Sequence, residues 1–175
     1  VKDDYGIKTA LSTGKNIAEV LNNIDLNKDI SGQELIKPHK CNIFILQDNE
    51  QEECTKVIKS LLKNYKNKNI SFNVFEVFKE EVHKCIACDI CPISYDSSEK
   101  YRCIINNKND FFKKNHEKII DCDSFIFAAY SGTNFVNIKT NYQQFIERTR
   151  YLRRDNYLFG RKLVSSFILS EVNSN

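Results

Sequence analysis

The sequence predicts an α/β protein in which helices cover both faces of a parallel sheet. Apolar runs of strand length alternate with stretches of helical periodicity along the 175-residue chain. Two of the strand-like runs, residues 41–46 and 124–130, are almost continuously apolar, which is typical of strands buried on both faces. Because parallel strands need crossover connections and these are right-handed, the sheet is expected to be doubly wound. Ligands of such sheets bind beyond the carboxyl ends of the strands.

The first 40 residues are predicted to be separate from the sheet. Apolar side chains among residues 1–23 recur with a helical period, although Gly14 interrupts it. Residues 22–40 are polar and close with Pro38, which predicts a linker. The α/β domain is therefore expected over residues 41–175.

Four strands and three helices are predicted in this domain. The strands are short runs rich in β-branched and aromatic residues, and they cover residues 41–46, 70–78, 124–130 and 163–169. The helices have apolar side chains at intervals of three and four, and they cover residues 57–62, 111–120 and 136–152. A fifth strand is not evident after residue 169, so the sheet is expected to be incomplete at its C-terminal end.

Composition and charge exclude several classes of protein. Hydrophobic residues make up 41% of the chain, which is enough for a packed core. No run approaches the roughly 20 apolar residues that span a bilayer, so no membrane partner is expected. The net charge of +3 is too small to predict a nucleic-acid partner. The chain opens on charged residues without a secretion signal, which favours a cytoplasmic location.

Seven cysteines are many for such a chain, and in a reducing compartment clustered cysteines favour metal or redox chemistry over disulfides. Cys85, Cys88 and Cys91 follow one another at three-residue steps, and Cys103 comes after eleven intervening residues. Three close thiolates and a distant fourth are typical of an iron–sulfur site. A four-cysteine zinc site usually has two separated C-x-x-C pairs, and a loop of unligated thiols is the third alternative.

The other three cysteines are predicted to have separate roles. Cys41 and Cys122 lie in or beside apolar strands and are expected to fill the core. Cys54 opens a predicted helix, where a thiolate would be stabilised. The alternative for Cys54 is an ordinary surface thiol.

A basic stretch begins near the end of the last predicted helix. Two tyrosines are interleaved among its cations, which are Arg148, Arg150, Arg153, Arg154, Arg161 and Lys162. These cations suit the phosphate of NADPH or of a flavin. The alternative is a solvated helix end, where cations favour the helix dipole.

Two further motifs follow the cysteine segment. The turn after the third strand reads Ser131-Gly132-Thr133-Asn134, and the last helix contains Phe145-Ile146-Glu147-Arg148-Thr149. Together with C-x-x-C-x-x-C and the later cysteine, they resemble the flavodoxin-like NADPH-dependent FMN reductases, a family that includes the iron–sulfur flavoproteins. That family carries C-x-G-C-x-x-C, then a strand ending in G-S-P-x-Y and a helix ending in F-I-D-R-T. The similarity covers about residues 41–170.

The resemblance implies a flavodoxin-like sheet of order 2-1-3-4-5, bound FMN and a homodimer. It also implies an oxidoreductase that passes electrons from NAD(P)H through FMN to a small-molecule or protein acceptor, with an iron–sulfur cluster as a further carrier. The implied FMN-binding residues are Thr55, Ser131, Gly132, Thr133, Asn134 and Phe135. The implied metal ligands are Cys85, Cys88, Cys91 and Cys103. Residues 1–23 are similar to the final helix of the same family, which suggests a tandem protein.

The loop after the first strand differs from the glycine-rich phosphate loop of that family. It has no glycine, and it carries four carboxylates, at Asp48, Glu50, Glu52 and Glu53. Carboxylates here would repel a phosphate, although acids also suit the start of a helix because they favour its dipole. The sequence therefore supports a second hypothesis: a degenerate flavodoxin-like module without flavin, used for dimerisation or metal binding.

Overall fold

A computed structural model describes residues 38–65, 69–91, 100–132, 135–153, 158–160 and 162–170. The predicted helix of residues 1–23 and most of the predicted linker lie outside these ranges, and so do Thr133 and Asn134. Within the described ranges, none of the helices is long and apolar enough to cross a membrane.

The described residues form one sheet with helices between its strands. The strands are β1 (His39–Gln47), β2 (Ile70–Glu76), β3 (Ser124–Ser131) and β4 (Leu163–Ser170). The helices are α1 (Glu53–Asn64), α2 (Phe111–Lys114), α3 (His116–Ile120), α4 (Phe135–Arg148) and α5 (Arg150–Arg153), and a 3-10 turn (Val77–Lys79) follows β2. All neighbouring strands are parallel, in the order β2-β1-β3-β4. The predicted parallel α/β architecture is confirmed over these four strands.

Phenylalanines fill the core on one face of the sheet. Phe44 of β1 is fully buried, and its ring centroid lies 4.8 Å from that of Phe145 on α4 and 5.2 Å from that of Phe75. Phe111 of α2 and Phe127 of β3 also belong to this layer. Burial of one such side chain contributes about 1.5–3 kcal/mol. This layer therefore holds α2 and α4 against the sheet.

Aliphatic side chains and α1 cover the opposite face. Ile43 and Ile45 of β1 pack with Cys54 and Ile58 of α1 and with Ala128 of β3. Successive residues of a strand point to opposite faces, so β1 supplies side chains to both layers. This explains why the predicted strand is apolar at every position except Asn42.

Each of two predicted helices is divided into two in the structure. The chain leaves helical geometry at Asn115, between α2 and α3, where the side-chain amide of Asn115 donates to the Phe111 carbonyl at 3.0 Å. The chain leaves helical geometry a second time at Thr149, between α4 and α5, where the Thr149 hydroxyl donates to the Ile146 carbonyl at 2.9 Å. Bonds from side chains to nearby carbonyls compete with the helical ladder, and apolar spacing alone does not predict them.

β4 is the outer strand of the described sheet, and its side chains are largely exposed. Leu163, Val164 and Ile168 have 69%, 60% and 51% of their surface exposed. Among the described residues, β3 is the strand that pairs with β4. In the predicted order 2-1-3-4-5, the free edge of β4 would pair with a fifth strand, which is not among the described elements.

Candidate metal centre

A cysteine-bearing loop follows β2 and its 3-10 turn and leads to α2. A cavity of about 20 Å³ lies in this loop, and the four predicted metal ligands border it: Cys85, Cys88, Cys91 and Cys103. Arg102 and Arg150 line the same cavity. All four thiols are free, and Cys88 is the most exposed of them. The fold thus brings the four predicted cysteines to one place.

The backbone coils tightly between the first three cysteines. Ala87 and Asp89 have φ angles of 50° and 55°, in the left-handed region. Such a conformation costs an L-residue roughly 1–2 kcal/mol, and strain of this kind concentrates at functional sites. In the family motif C-x-G-C, the position of Ala87 is a glycine, the residue that adopts this conformation without steric cost.

The four thiols border the same cavity, but they are not gathered around one point. In the described part of the chain, no three His, Cys, Asp or Glu side chains converge as ligands of one metal ion. Burial raises the pKa of Cys91 above its ordinary value; the charge of Cys103 adds to this rise, and Arg150 opposes it. A metal ion binds the thiolate form and displaces the proton. A bound metal would therefore have to draw the four sulfurs together.

Arg148, at the end of α4, is a buried cation beside the fourth cysteine. Its side chain has no exposed surface, and its Nη1 donates to the Cys103 sulfur at 2.7 Å. Its Nη2 donates to Asp110 Oδ1 at 2.6 Å and to the Tyr101 hydroxyl oxygen at 3.2 Å. Burial opposes the charge, but Tyr101 and Asp110 raise the pKa of Arg148 above its ordinary value. Arg148 is therefore a permanent positive charge next to this site.

Both predictions for Arg148, a phosphate ligand and part of a solvated helix end, are wrong. A fully buried side chain that is bonded to Asp110 and Cys103 is available to neither role. These partners lie 38 and 45 residues earlier in the chain, so helical periodicity could not reveal them. The match to F-I-D-R-T was the one sequence signal that set Arg148 apart from the other cations. Arg154 and Arg161 lie outside the described residues.

Asp110 joins Arg148 to the start of α2. Its buried carboxylate accepts hydrogen bonds from the backbone N–H of Phe112 at 3.2 Å and of Lys113 at 3.3 Å, which caps the helix. It also accepts one from the backbone N–H of His83 at 3.1 Å. One buried ion pair therefore links α2, α4 and both chain segments that carry the cysteines.

The resemblance implies a flavin phosphate at the start of α1. In the structure, the backbone N–H groups there are bonded to a carboxylate of the chain itself. The Asp48 carboxylate accepts hydrogen bonds from the backbone N–H of Cys54 at 2.9 Å, of Thr55 at 2.8 Å and of Asn49 at 3.0 Å. Backbone N–H groups at a helix start are the donors that bind phosphates. Because Asp48 uses these donors and adds a negative charge, an FMN phosphate does not fit this position.

Cys54 lies in the core behind this cap. It is fully buried, and its burial raises its pKa to about 12, with the charge of Asp48 adding to the rise. Both predictions for Cys54, a stabilised thiolate and a surface thiol, are therefore wrong, because burial outweighs the helix dipole here. Cys41 and Cys122 are buried, as predicted.

Part of the predicted flavin site is described at the carboxyl edge of the sheet. Thr55 and Ser131 are buried, and their hydroxyl oxygens have no hydrogen-bond partner within the described ranges. A Cβ atom on Gly132 would lie 3.2 Å from the ring of Tyr130, so the turn packs closely at that point. Phe135 is the first residue of α4. Two buried hydroxyls that have no partner in the described part of the chain thus lie where the resemblance implies FMN.

Replacement of Asp48 by Ala is expected to lower the free energy of unfolding by about 1 kcal/mol, because α1 loses its cap. Inorganic phosphate should then stabilise the variant more than the wild type, since the freed N–H groups accept an anion. Urea unfolding with and without phosphate measures both effects. Asp48→Asn is the control, because its amide oxygen still accepts hydrogen bonds. Equal stabilisation of the wild type and Asp48→Ala by phosphate would contradict this assignment.

Comparisons of the chain with known protein families, with curated proteins and with solved structures find no match. The resemblance to the FMN reductases therefore depends on the cysteine spacing and the F-I-E-R-T motif.

Proposed function

We propose that this chain is an electron-transfer module of flavodoxin-like fold that binds an iron–sulfur cluster and no flavin. The observation that carries the proposal is the single cavity bordered by the four free thiols of Cys85, Cys88, Cys91 and Cys103. The strand order 2-1-3-4 supports the fold, because it is the order of the first four strands in a flavodoxin-like sheet.

The donor set favours an iron–sulfur cluster over zinc. Four thiolates serve either group, but three of them at three-residue steps in one loop are typical of iron–sulfur sites. The left-handed residues Ala87 and Asp89 give this loop its tight coil. Arg148 donates to the sulfur of Cys103, and hydrogen bonds to ligand sulfurs are one means by which proteins set cluster potentials. When bound, such a cluster accepts and releases single electrons.

The cap on α1 supports the absence of flavin. Asp48 engages the N–H groups that would bind the phosphate, so FMN would have to displace a carboxylate and approach its charge. NAD(P)H delivers a hydride, which a flavin accepts and a one-electron carrier does not. Without flavin, the donor and the acceptor of this module are therefore one-electron carriers, a role that suits partner proteins.

A second candidate function is the NAD(P)H-dependent FMN oxidoreductase that the resemblance implies. The observation that favours it is the pair of buried hydroxyls, on Thr55 and Ser131, that have no partner among the described residues, because a bound ligand at this edge of the sheet would supply their hydrogen bonds. Homodimerisation and a cytoplasmic location stay predictions for either function.

Anaerobic reconstitution separates these functions. Incubation with ferrous iron and sulfide is expected to give a broad brown absorbance that dithionite bleaches. FMN added to the same protein is expected to be removed by gel filtration. A colourless product that retains one zinc ion would make the site a zinc centre, and retained FMN with its two resolved bands would favour the oxidoreductase.

A further inference from the structure

We infer that Arg148 is a positioning residue of the four-cysteine site, which holds the Cys103 sulfur in place and raises the reduction potential of the cluster bound there. This inference rests on the proposed function. Its basis is the hydrogen bond of 2.7 Å from Nη1 of Arg148 to the Cys103 sulfur, made by a guanidinium without exposed surface.

The guanidinium suits this role because of its chemistry. It is always protonated and has no lone pair to offer, so it does not compete with cysteine as a metal ligand. Asp110 and Tyr101 bond to its second terminal nitrogen, at 2.6 Å and 3.2 Å from Nη2, which fixes the direction of Nη1 towards Cys103. The Cys103 sulfur is thereby held by a rigid donor, although Cys103 lies far along the chain from the other three cysteines.

The direction of the effect follows from charge. Reduction adds one negative charge to a cluster, and a nearby N–H donor and positive charge stabilise the reduced form more than the oxidised form. Burial strengthens this effect, since few water molecules screen the guanidinium. The Asp110 carboxylate is bonded to Nη2 of Arg148, whereas the sulfur is bonded to Nη1, and the negative charge of Asp110 opposes the effect.

Two variants separate this role from a merely structural one. Arg148→Gln and Asp110→Asn both break the buried ion pair, so both should lower the stability of the fold. Their effects on the potential should be opposite, because one removes a positive charge and the other a negative charge. Arg148→Lys, which keeps the charge beside Asp110, serves as the variant that folds if Arg148→Gln does not.

The experiment is a dithionite titration of the reconstituted wild type and of these variants, followed by visible absorption and by paramagnetic resonance of the reduced cluster. In Arg148→Gln we expect reduction to become at least about tenfold less favourable, which is about 59 mV for one electron. In Arg148→Lys we expect a smaller fall, and in Asp110→Asn a rise. Equal potentials in all four proteins, or shifts of the same sign in Arg148→Gln and Asp110→Asn, would overturn the inference. Failure of the wild type itself to bind a cluster would instead overturn the proposed function.

Discussion

Replacement of Arg148 by Met is expected to lower the free energy of unfolding by about 3–5 kcal/mol, the usual cost when one partner of a buried ion pair is removed. The Asp110 carboxylate would stay fully buried and charged, but it would lose the guanidinium that lies 2.6 Å from it in the wild type. The loss would also release Cys103 and Tyr101, which bond to the same side chain. Urea unfolding of the apoprotein, followed by circular dichroism, measures this change.

Arg150→Met is the matched control for that prediction. Arg150 lies two residues further on, has 43% of its side-chain surface exposed, and is 3.6 Å from an exposed carboxylate on Asp89. Such surface pairs contribute about 0–1 kcal/mol, so the control should unfold almost as the wild type does. The double variant Arg148→Met with Asp110→Asn should lose less stability than the sum of the single losses, because the two side chains interact directly. Equal losses in Arg148→Met and Arg150→Met would show that the buried pair does not hold the fold together.

Replacement of Cys88 by Ser is expected to abolish cluster binding. Cys88 is the central member of the close triple and the most exposed of the four thiols, so its loss removes a ligand without disturbing the core. Loss of a residue that only hydrogen-bonds to a metal ligand already lowers metal affinity about 10–100-fold, and loss of a ligand itself is expected to lower it more. Iron and acid-labile sulfide after reconstitution and gel filtration measure the effect.

Cys54→Ala is the control for the cysteine variant. Cys54 is also a free thiol, but it is fully buried between β1 and α1 and does not border the cavity. This variant should retain iron and sulfide in the same ratio to protein as the wild type. Full retention of the cluster by Cys88→Ser, or its loss from Cys54→Ala, would contradict the assignment of the ligands.

The sheet was predictable because its signals are local. Apolar runs such as residues 43–46 of β1 mark strands buried on both faces, and the order of strands and helices predicts parallel pairing. The three-residue steps from Cys85 to Cys91 likewise predict that these sulfurs lie close together. The ends of α2 and α4 were missed, because they depend on hydrogen bonds of Asn115 and Thr149 that apolar spacing does not contain.

The polar contacts around the site were not predictable in the same way. Arg148 was one of six cations in a basic stretch, and its partner Asp110 lies 38 residues away. Asp48 was one of four acids in a loop, and each of them suited a helix start equally well. Only the three-dimensional structure distinguishes the carboxylate that accepts from the N–H groups of Cys54 and Thr55. Long-range pairing thus decided the electrostatics around Arg148, and the local conformation of the loop decided them at the start of α1.

The most direct test of an iron–sulfur module without flavin is a joint analysis of iron, acid-labile sulfide, zinc and FMN in one sample of the protein isolated without oxygen. We predict iron and sulfide in equal amounts, with neither zinc nor FMN. FMN in equal amount to the chain, or zinc in place of iron and sulfide, would contradict this account.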